Sequence, residues 1–141
     1  MNFSARIAEA VLSARSDAII AADKDGIIRF WNPGAHRVFG FSCDEVVGRS
    51  LDLIIPERLR QRHWDGFNRV IQTGRSRYGD NDVLAVPAVR RDGATISVEF
   101  TIIPVPDESG RLLAIAAILR DASTRFEEMR TLRRQLAEAT K

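Results

Sequence analysis

The residues of this chain best placed to do chemistry lie between Pro56 and Gly74. Leu59, His63, Phe67 and Val70 are spaced four, four and three apart, which puts them on one face of a helix. That face is apolar except for the imidazole, while Arg58, Arg60, Gln61 and Arg62 fall elsewhere. An imidazole, able to ligate a metal or to form a hydrogen bond, is therefore aimed at whatever the helix covers. Other reactive patterns are missing. There is one cysteine, Cys43, so neither an internal disulfide nor a cysteine-based zinc site can form within the chain. No Gly-x-Ser-x-Gly, His-Glu-x-x-His or phosphate-cradling glycine loop occurs. The expectation is a protein that is not an enzyme. His36, beside a glycine-rich turn, is expected at the surface, and Cys43 is expected to be structural.

The elements that must position His63 follow from local signals. Pro56 suits the first helical position, Glu57 sits near the positive end of the helix dipole, and Gly74 can close a helix in the left-handed conformation. One helix from about Pro56 to Thr73 is expected. Before it, Asp17 to Asp23 is a short buried strand, Lys24-Asp25-Gly26 a tight turn, and Ile27 to Asn32 the return strand of a hairpin. Pro33 starts a short helical stretch with Ala35, Val38 and Phe39 inward. Ser42 and Glu45 have the spacing of a capping box. After the helix the chain is strand. Asp82 to Val89 contains Pro87, which cannot donate to a ladder and so marks an edge. Arg91-Asp92-Gly93 is a hairpin turn. Thr95 to Ile103 alternates, with Ile96, Val98, Phe100 and Ile102 on one face. Leu112 to Leu119 is nearly all apolar, as a well-covered central strand is.

Both ends are amphipathic helices. Phe3, Ile7 and Val11 recur every four residues, and Phe126, Met129, Leu132, Leu136 and Ala139 form a second stripe. These stripes need a partner, most simply the same helices of a second chain, so a homodimer through the flanking helices is expected. The exit helix ends without a cap, as a segment excised from a longer chain would. With 141 residues and 45% hydrophobic residues, the chain can bury one core. Its net charge of +2 gives no basic footprint, so direct nucleic-acid binding is not expected. There is no apolar run of membrane-span length and no signal-peptide pattern, and a reducing cytoplasm is the expected location. The predicted organisation is a flanking helix over 1–14, a core over 15–121 and a linker helix over 122–141. The fold class is α+β, a five-stranded antiparallel sheet with helices on one face.

Over roughly residues 10–125 the chain resembles the PAS domain. The matching stretches are Asp23-Lys24-Asp25-Gly26, Phe30-Trp31-Asn32-Pro33-Gly34-Ala35, Val38-Phe39-Gly40-Phe41 and Val47-Gly48-Arg49. Arg90-Arg91-Asp92-Gly93 and Arg120-Asp121-Ala122-Ser123 follow. The resemblance implies a sensory input module of a bacterial signal-transduction protein, passing its signal through the C-terminal helix to an output domain. Pro56-Glu57-x-x-Arg60-x-Arg62-His63, with Arg69 six residues on, is similar to the haem-binding PAS domain of rhizobial oxygen-sensor kinases. By that resemblance His63 is the iron ligand and Arg69 contacts a haem propionate. The lining residues would be Phe67, Val70, Leu84, Phe100, Ile102 and Ile115, together with Leu53, Ile54 and Val98. Those sensors carry a distal arginine where this chain has Leu84 or Val83. A distal side without a donor favours a carbonyl or nitrosyl complex over an oxy complex. Relatives that bond flavin carry Asn-Cys-Arg-Phe-Leu-Gln, where this chain reads Gly48-Arg49-Ser50-Leu51-Asp52-Leu53, so flavin–cysteine photochemistry is excluded. The alternatives to haem are another small ligand, or a cofactor-free domain serving dimerisation or partner docking.

Overall fold

The computed structural model describes residues 2–74 and 84–140. Its strands are β1 (Ala18–Asp23), β2 (Ile28–Trp31), β3 (Leu84–Val89), β4 (Thr95–Pro106) and β5 (Leu112–Asp121). They form one antiparallel sheet in the order β2-β1-β5-β4-β3. The apolar β5 is central, as its composition predicts. The proline-bearing β3 is at an edge, where Pro87 faces Ser97 of β4 and its missing N–H costs no second ladder. Expected strand residues Asp82 and Val83 lie outside the described residues.

Helices α1 (Phe3–Leu12), α2 (Pro33–Phe39), α3 (Cys43–Val46), α4 (Arg60–Thr73) and α5 (Ser123–Ala139) complete the chain, with 3-10 turns at Leu51–Ile54 and Glu57–Leu59. The helix expected to begin at Pro56 is thus split. Pro56 keeps an extended backbone (φ −53°, ψ 137°) and stands ahead of a tight first turn, a form common at helix N-termini. Arg60 then folds back, donating from Nε to the Ile55 carbonyl and from Nη2 to the Asp52 carbonyl, both at 3.3 Å.

Strand register sets which residues meet. Trp31 lies opposite Ile20, Ile20 opposite Ala117, Ala117 opposite Ile102, and Val98 opposite Val86. The row from Ile20 to Ile102 marks the inner face of the sheet. One cluster joins this face to the segments above it: Ile20, Val98, Ile115 and Leu119 pack with Val38, Phe39, Val46, Ile54, Phe67 and Val70. Trp31 stacks at a tilt on Phe39, with centroids 5.4 Å apart, and donates from its indole to the Phe41 carbonyl at 2.9 Å. The capping box forms as expected, with the Ser42 N–H donating to Glu45 Oε1 at 2.9 Å.

Asn32 ties the hairpin to the helical layer. Only 2% exposed, its side chain makes four hydrogen bonds. Oδ1 accepts from the N–H groups of Ile19 and Ala35, each at 2.8 Å, and Nδ2 donates to the carbonyls of Ala14 and Asp17, each at 3.1 Å. The amide's capacity of two donors and two acceptor lone pairs is fully used. It caps α2 and closes the chain entering β1.

The flanking helices behave otherwise. No residue of α1 or α5 is buried. Phe3, Ile7 and Val11 stay exposed, as do Phe126, Met129, Leu132 and Leu136. The packing expected between Phe3, Ile7, Val11 and Phe126, Met129, Leu132 therefore hides neither stripe within a single chain.

Candidate functional site

The inner face of α4 carries the expected stripe. Phe67 and Val70 are buried, His63 is half-buried, and Arg69 is exposed. Six residues of helix rotate Arg69 well away from His63, so the two point to different surroundings. Across from the helix, Phe100 and Ile102 on β4 are half-buried and Ile115 on β5 is buried. Leu84 begins β3 and is paired with Phe100 in the ladder. The structure thus brings Phe67, Val70, Phe100, Ile102 and Ile115 into one apolar cluster and leaves Arg69 outside it. Val83, the other expected distal residue, lies outside the described residues.

His63 lies at the edge of this cluster, against two of its aromatic rings. Its ring is edge-on to Trp64 at 4.7 Å and tilted to Phe67 at 6.0 Å. Nδ1 is buried and, among the described residues, has no hydrogen-bond partner. Burial holds its pKa below the ordinary histidine value, with a smaller opposing pull from the Asp52 carboxylate. The imidazole is therefore neutral at pH 7, with one nitrogen unsatisfied in apolar surroundings.

Beside it lies a bracket that the helical pattern does not announce. Trp64 donates from Nε1 to Asp52 Oδ1 at 2.8 Å and stacks edge-on against Phe67 at 5.2 Å. The far edge of its indole covers Gly26 in the β1–β2 turn. A Cβ at Gly26 would run into the ring, and Gly26 also has φ +76°, which favours glycine. Asp23 holds this turn by accepting from the N–H groups of Asp25 and Ile27. Trp64 thus fastens α4 to the first hairpin. The signals in the sequence were a tryptophan needing a partner for its N–H and an Asp-Gly turn. Neither says that they meet.

The donor chemistry of His63 suits a metal or a polar ligand group, but the space does not suit a haem as the side chains stand. Ile54, Phe67, Val70, Val98 and Ile115, expected to line a cavity, are each 8% exposed or less. They are covered by one another rather than ranged round a porphyrin-sized gap. Two clefts lie elsewhere on the surface. One, of about 640 Å³, runs along α5 past Ser123, Glu127 and Leu132. The other, of about 370 Å³, lies between Gly40 and the β3–β4 turn. Among the described residues no group of three or more His, Cys, Asp or Glu side chains is placed to hold a metal ion, and no helix is long and apolar enough to cross a membrane.

At the exit of the sheet, β5 passes into α5 through a set of polar ties. Ser123 Oγ accepts from the Ser97 N–H at 3.0 Å, and the Ala122 N–H donates to the Ser97 carbonyl at 2.7 Å. The Ser123 N–H donates to Asp121 Oδ1 at 2.9 Å. Arg125 pairs with Glu99 of β4. The first turn of α5 is therefore fixed to the sheet while the rest of the helix stands in solvent.

A family model described as "PAS fold" matches residues 12–127. No curated protein matches. Among solved structures, the PAS domain of a protein from Colwellia psychrerythraea is 18% identical with a TM-score of 0.74, covering 87% of this chain and 99% of that one. The PAS domain of BvgS from Bordetella pertussis is 20% identical with a TM-score of 0.65, covering 98% of this chain and 99% of that one. An RNA-binding light-oxygen-voltage receptor is 25% identical with a TM-score of 0.74. It covers 96% of this chain, which spans 37% of the receptor.

Proposed function

This chain belongs to the PAS family, and we propose on that premise that it is the sensory input module of a bacterial signal-transduction protein. PAS domains are sensory modules of signalling proteins. In the proposed reading the ligand is a small, largely apolar molecule held between α4 and the inner face of the sheet. His63 makes its polar contact, and Phe67, Val70, Leu84, Phe100, Ile102 and Ile115 form the apolar wall. The signal leaves through α5, and the module, an input rather than a catalytic unit, works in the cytoplasm as a homodimer joined by the stripes of α1 and α5. The observation that carries the reading is the unsatisfied, buried Nδ1 of His63. A buried polar atom without a partner costs about 1–3 kcal/mol, and a ligand group that met it would recover that cost.

The haem form of this reading assigns His63 to iron and Arg69 to a propionate. It needs room to open beneath α4, where Phe67, Val70 and Ile115 are now buried in one cluster. The test is titration of the protein with hemin, followed by absorption. A Soret band shift lost in His63→Ala, with unchanged circular dichroism, supports haem. A spectrum independent of His63 removes it and leaves a colourless ligand, to be sought by thermal shift.

A second reading is favoured by the closed packing of Ile54, Phe67, Val70, Val98 and Ile115 together with the exposed stripes: a cofactor-free domain for dimerisation or partner docking. Sedimentation of the chain lacking residues 123–141 separates the parts. Loss of self-association supports the flanking-helix dimer, and an unchanged sedimentation coefficient per protomer mass rejects it.

A further inference from the structure

We propose that the cleft between Gly40 and the β3–β4 turn is a carboxylate-binding site built on Arg90. Two arginines sit side by side at this turn and are treated differently. Arg91 donates from Nη2 to Glu45 Oε2 at 3.0 Å, and its backbone N–H is bonded to the Phe39 carbonyl at 2.8 Å. Its charge is answered and its position fixed. Arg90 is held as firmly by its backbone, its N–H bonded to the Ala94 carbonyl and its carbonyl to the Gly93 N–H, both at 2.9 Å. Among the described residues its side chain has no such answer: Nε is buried and makes no hydrogen bond. A guanidinium cannot shed its charge, so this donor cannot be relieved by deprotonation.

The cleft is shaped for what Arg90 lacks. It measures about 370 Å³ and is bounded by Phe39, Gly40, Arg90, Arg91 and Asp92. Gly40 closes α2 with φ +83°, and Arg90 Nη2 lies about 4.0 Å from where a Cβ would stand. The one acid in the wall, Asp92, is already engaged, accepting at Oδ1 from the Ala94 N–H at 2.9 Å. The Arg90 guanidinium therefore keeps a forked set of unpaired donors in a small recess, beside an Asp92 carboxylate that is turned to the backbone of its own turn. A single carboxylate matches it in charge and in the geometry of paired N–H···O bonds. The carboxylate belongs either to a free small acid or to an acidic side chain of another protein segment.

The test is nitrogen–proton correlation NMR of the whole chain, including the arginine Nε–H region, at constant ionic strength. One arm titrates sodium succinate and the other the peptide acetyl-Glu-Glu-amide. The expected result is saturable shifts at Gly40, Arg91, Asp92, Gly93 and the Arg90 Nε–H. Affinity should drop at least tenfold in Arg90→Gln, drop less in Arg90→Lys, and be unchanged in Arg111→Gln. Saturation by succinate identifies a free acid, and saturation by the peptide alone identifies an acidic side chain. Shifts that never saturate with either probe, that sodium chloride reproduces, or that both Arg90 variants retain overturn the site. The same spectra show whether each variant is folded.

Discussion

Asn32 and His63 are both polar side chains set into the apolar interior, and they differ in how their atoms are used. Asn32 makes four hydrogen bonds to the backbones of Ala14, Asp17, Ile19 and Ala35. His63 keeps a buried Nδ1 with no partner. A satisfied polar node in a core specifies structure, and an unsatisfied one withholds stability that a ligand can restore. The two positions should therefore respond to apolar replacement with opposite sign. The largest expected effect is at Asn32. Asn32→Leu takes the partner from the N–H groups of Ile19 and Ala35 and from the Asp17 carbonyl, while the Ala14 carbonyl keeps the Gly34 N–H, so it should cost roughly 3 kcal/mol or more. For a chain of this size that lowers Tm by about 10 °C. A loss below about 1 kcal/mol in urea denaturation would show that water replaces the amide and would erase the contrast.

Next in size is the bracket that keeps His63 where it is. Trp64→Ala removes a half-buried indole from Gly26 and Phe67 and frees Asp52, an expected loss of about 2 kcal/mol. Gly26→Ala meets the indole and must hold φ +76°, at about 1–2 kcal/mol. In the double variant the collision is gone and only the backbone strain remains, so the combined loss should be smaller than the sum. Strict additivity in thermal unfolding would mean that Trp64 and Gly26 do not touch in solution.

How much of this was legible in the sequence depends on the range of the interaction. The hairpins, the edge position of β3 and the central place of β5 follow from turn residues, Pro87 and apolar runs, all local signals. The inner stripe of α4 was legible for the same reason, and its burial order, with Phe67 and Val70 innermost, agrees with its spacing. The start of α4 was not, because a proline compatible with the first helical turn is equally compatible with the extended residue before it. The Asn32 node and the contact between Trp64 and Gly26 join distant positions, and residue types alone do not say which turn a tryptophan will cover. Whether a cavity opens beneath α4 depends on how the volumes of a dozen side chains fit together, a quantity no periodicity encodes.

His63 itself should show the opposite sign from Asn32. His63→Leu removes an unsatisfied polar atom and fills the same apolar site, so a gain of about 1 kcal/mol is expected near pH 7. The pH response should change with it. Burial lowers the folded pKa of His63, while the unfolded chain takes up its proton near pH 6.5. Between those values the unfolded state binds more protons, so wild-type stability is fullest above about pH 6.5 and falls as pH drops through the folded value. His63→Leu should lose this part of the acid slope. If denaturation midpoints of the two proteins run parallel from pH 7.5 to 5, His63 is not held neutral by its surroundings and the contrast with Asn32 fails.

The smallest effect is expected at Arg69, and it sharpens the comparison from outside the core. Arg69 shares α4 with His63 but is exposed, and its backbone carbonyl accepts from Thr73 Oγ1 at 2.8 Å. Arg69→Ala should change stability by less than about 0.5 kcal/mol. Its effect on ligand binding then isolates one question, which is whether a ligand reaching His63 extends to the outer side of the helix. A propionate gripped by Arg69 predicts that hemin affinity falls several-fold in Arg69→Ala while the His63-dependent spectrum keeps its shape. An unchanged affinity confines any ligand of His63 to the inner face, where Phe67, Phe100 and Ile115 alone set its size.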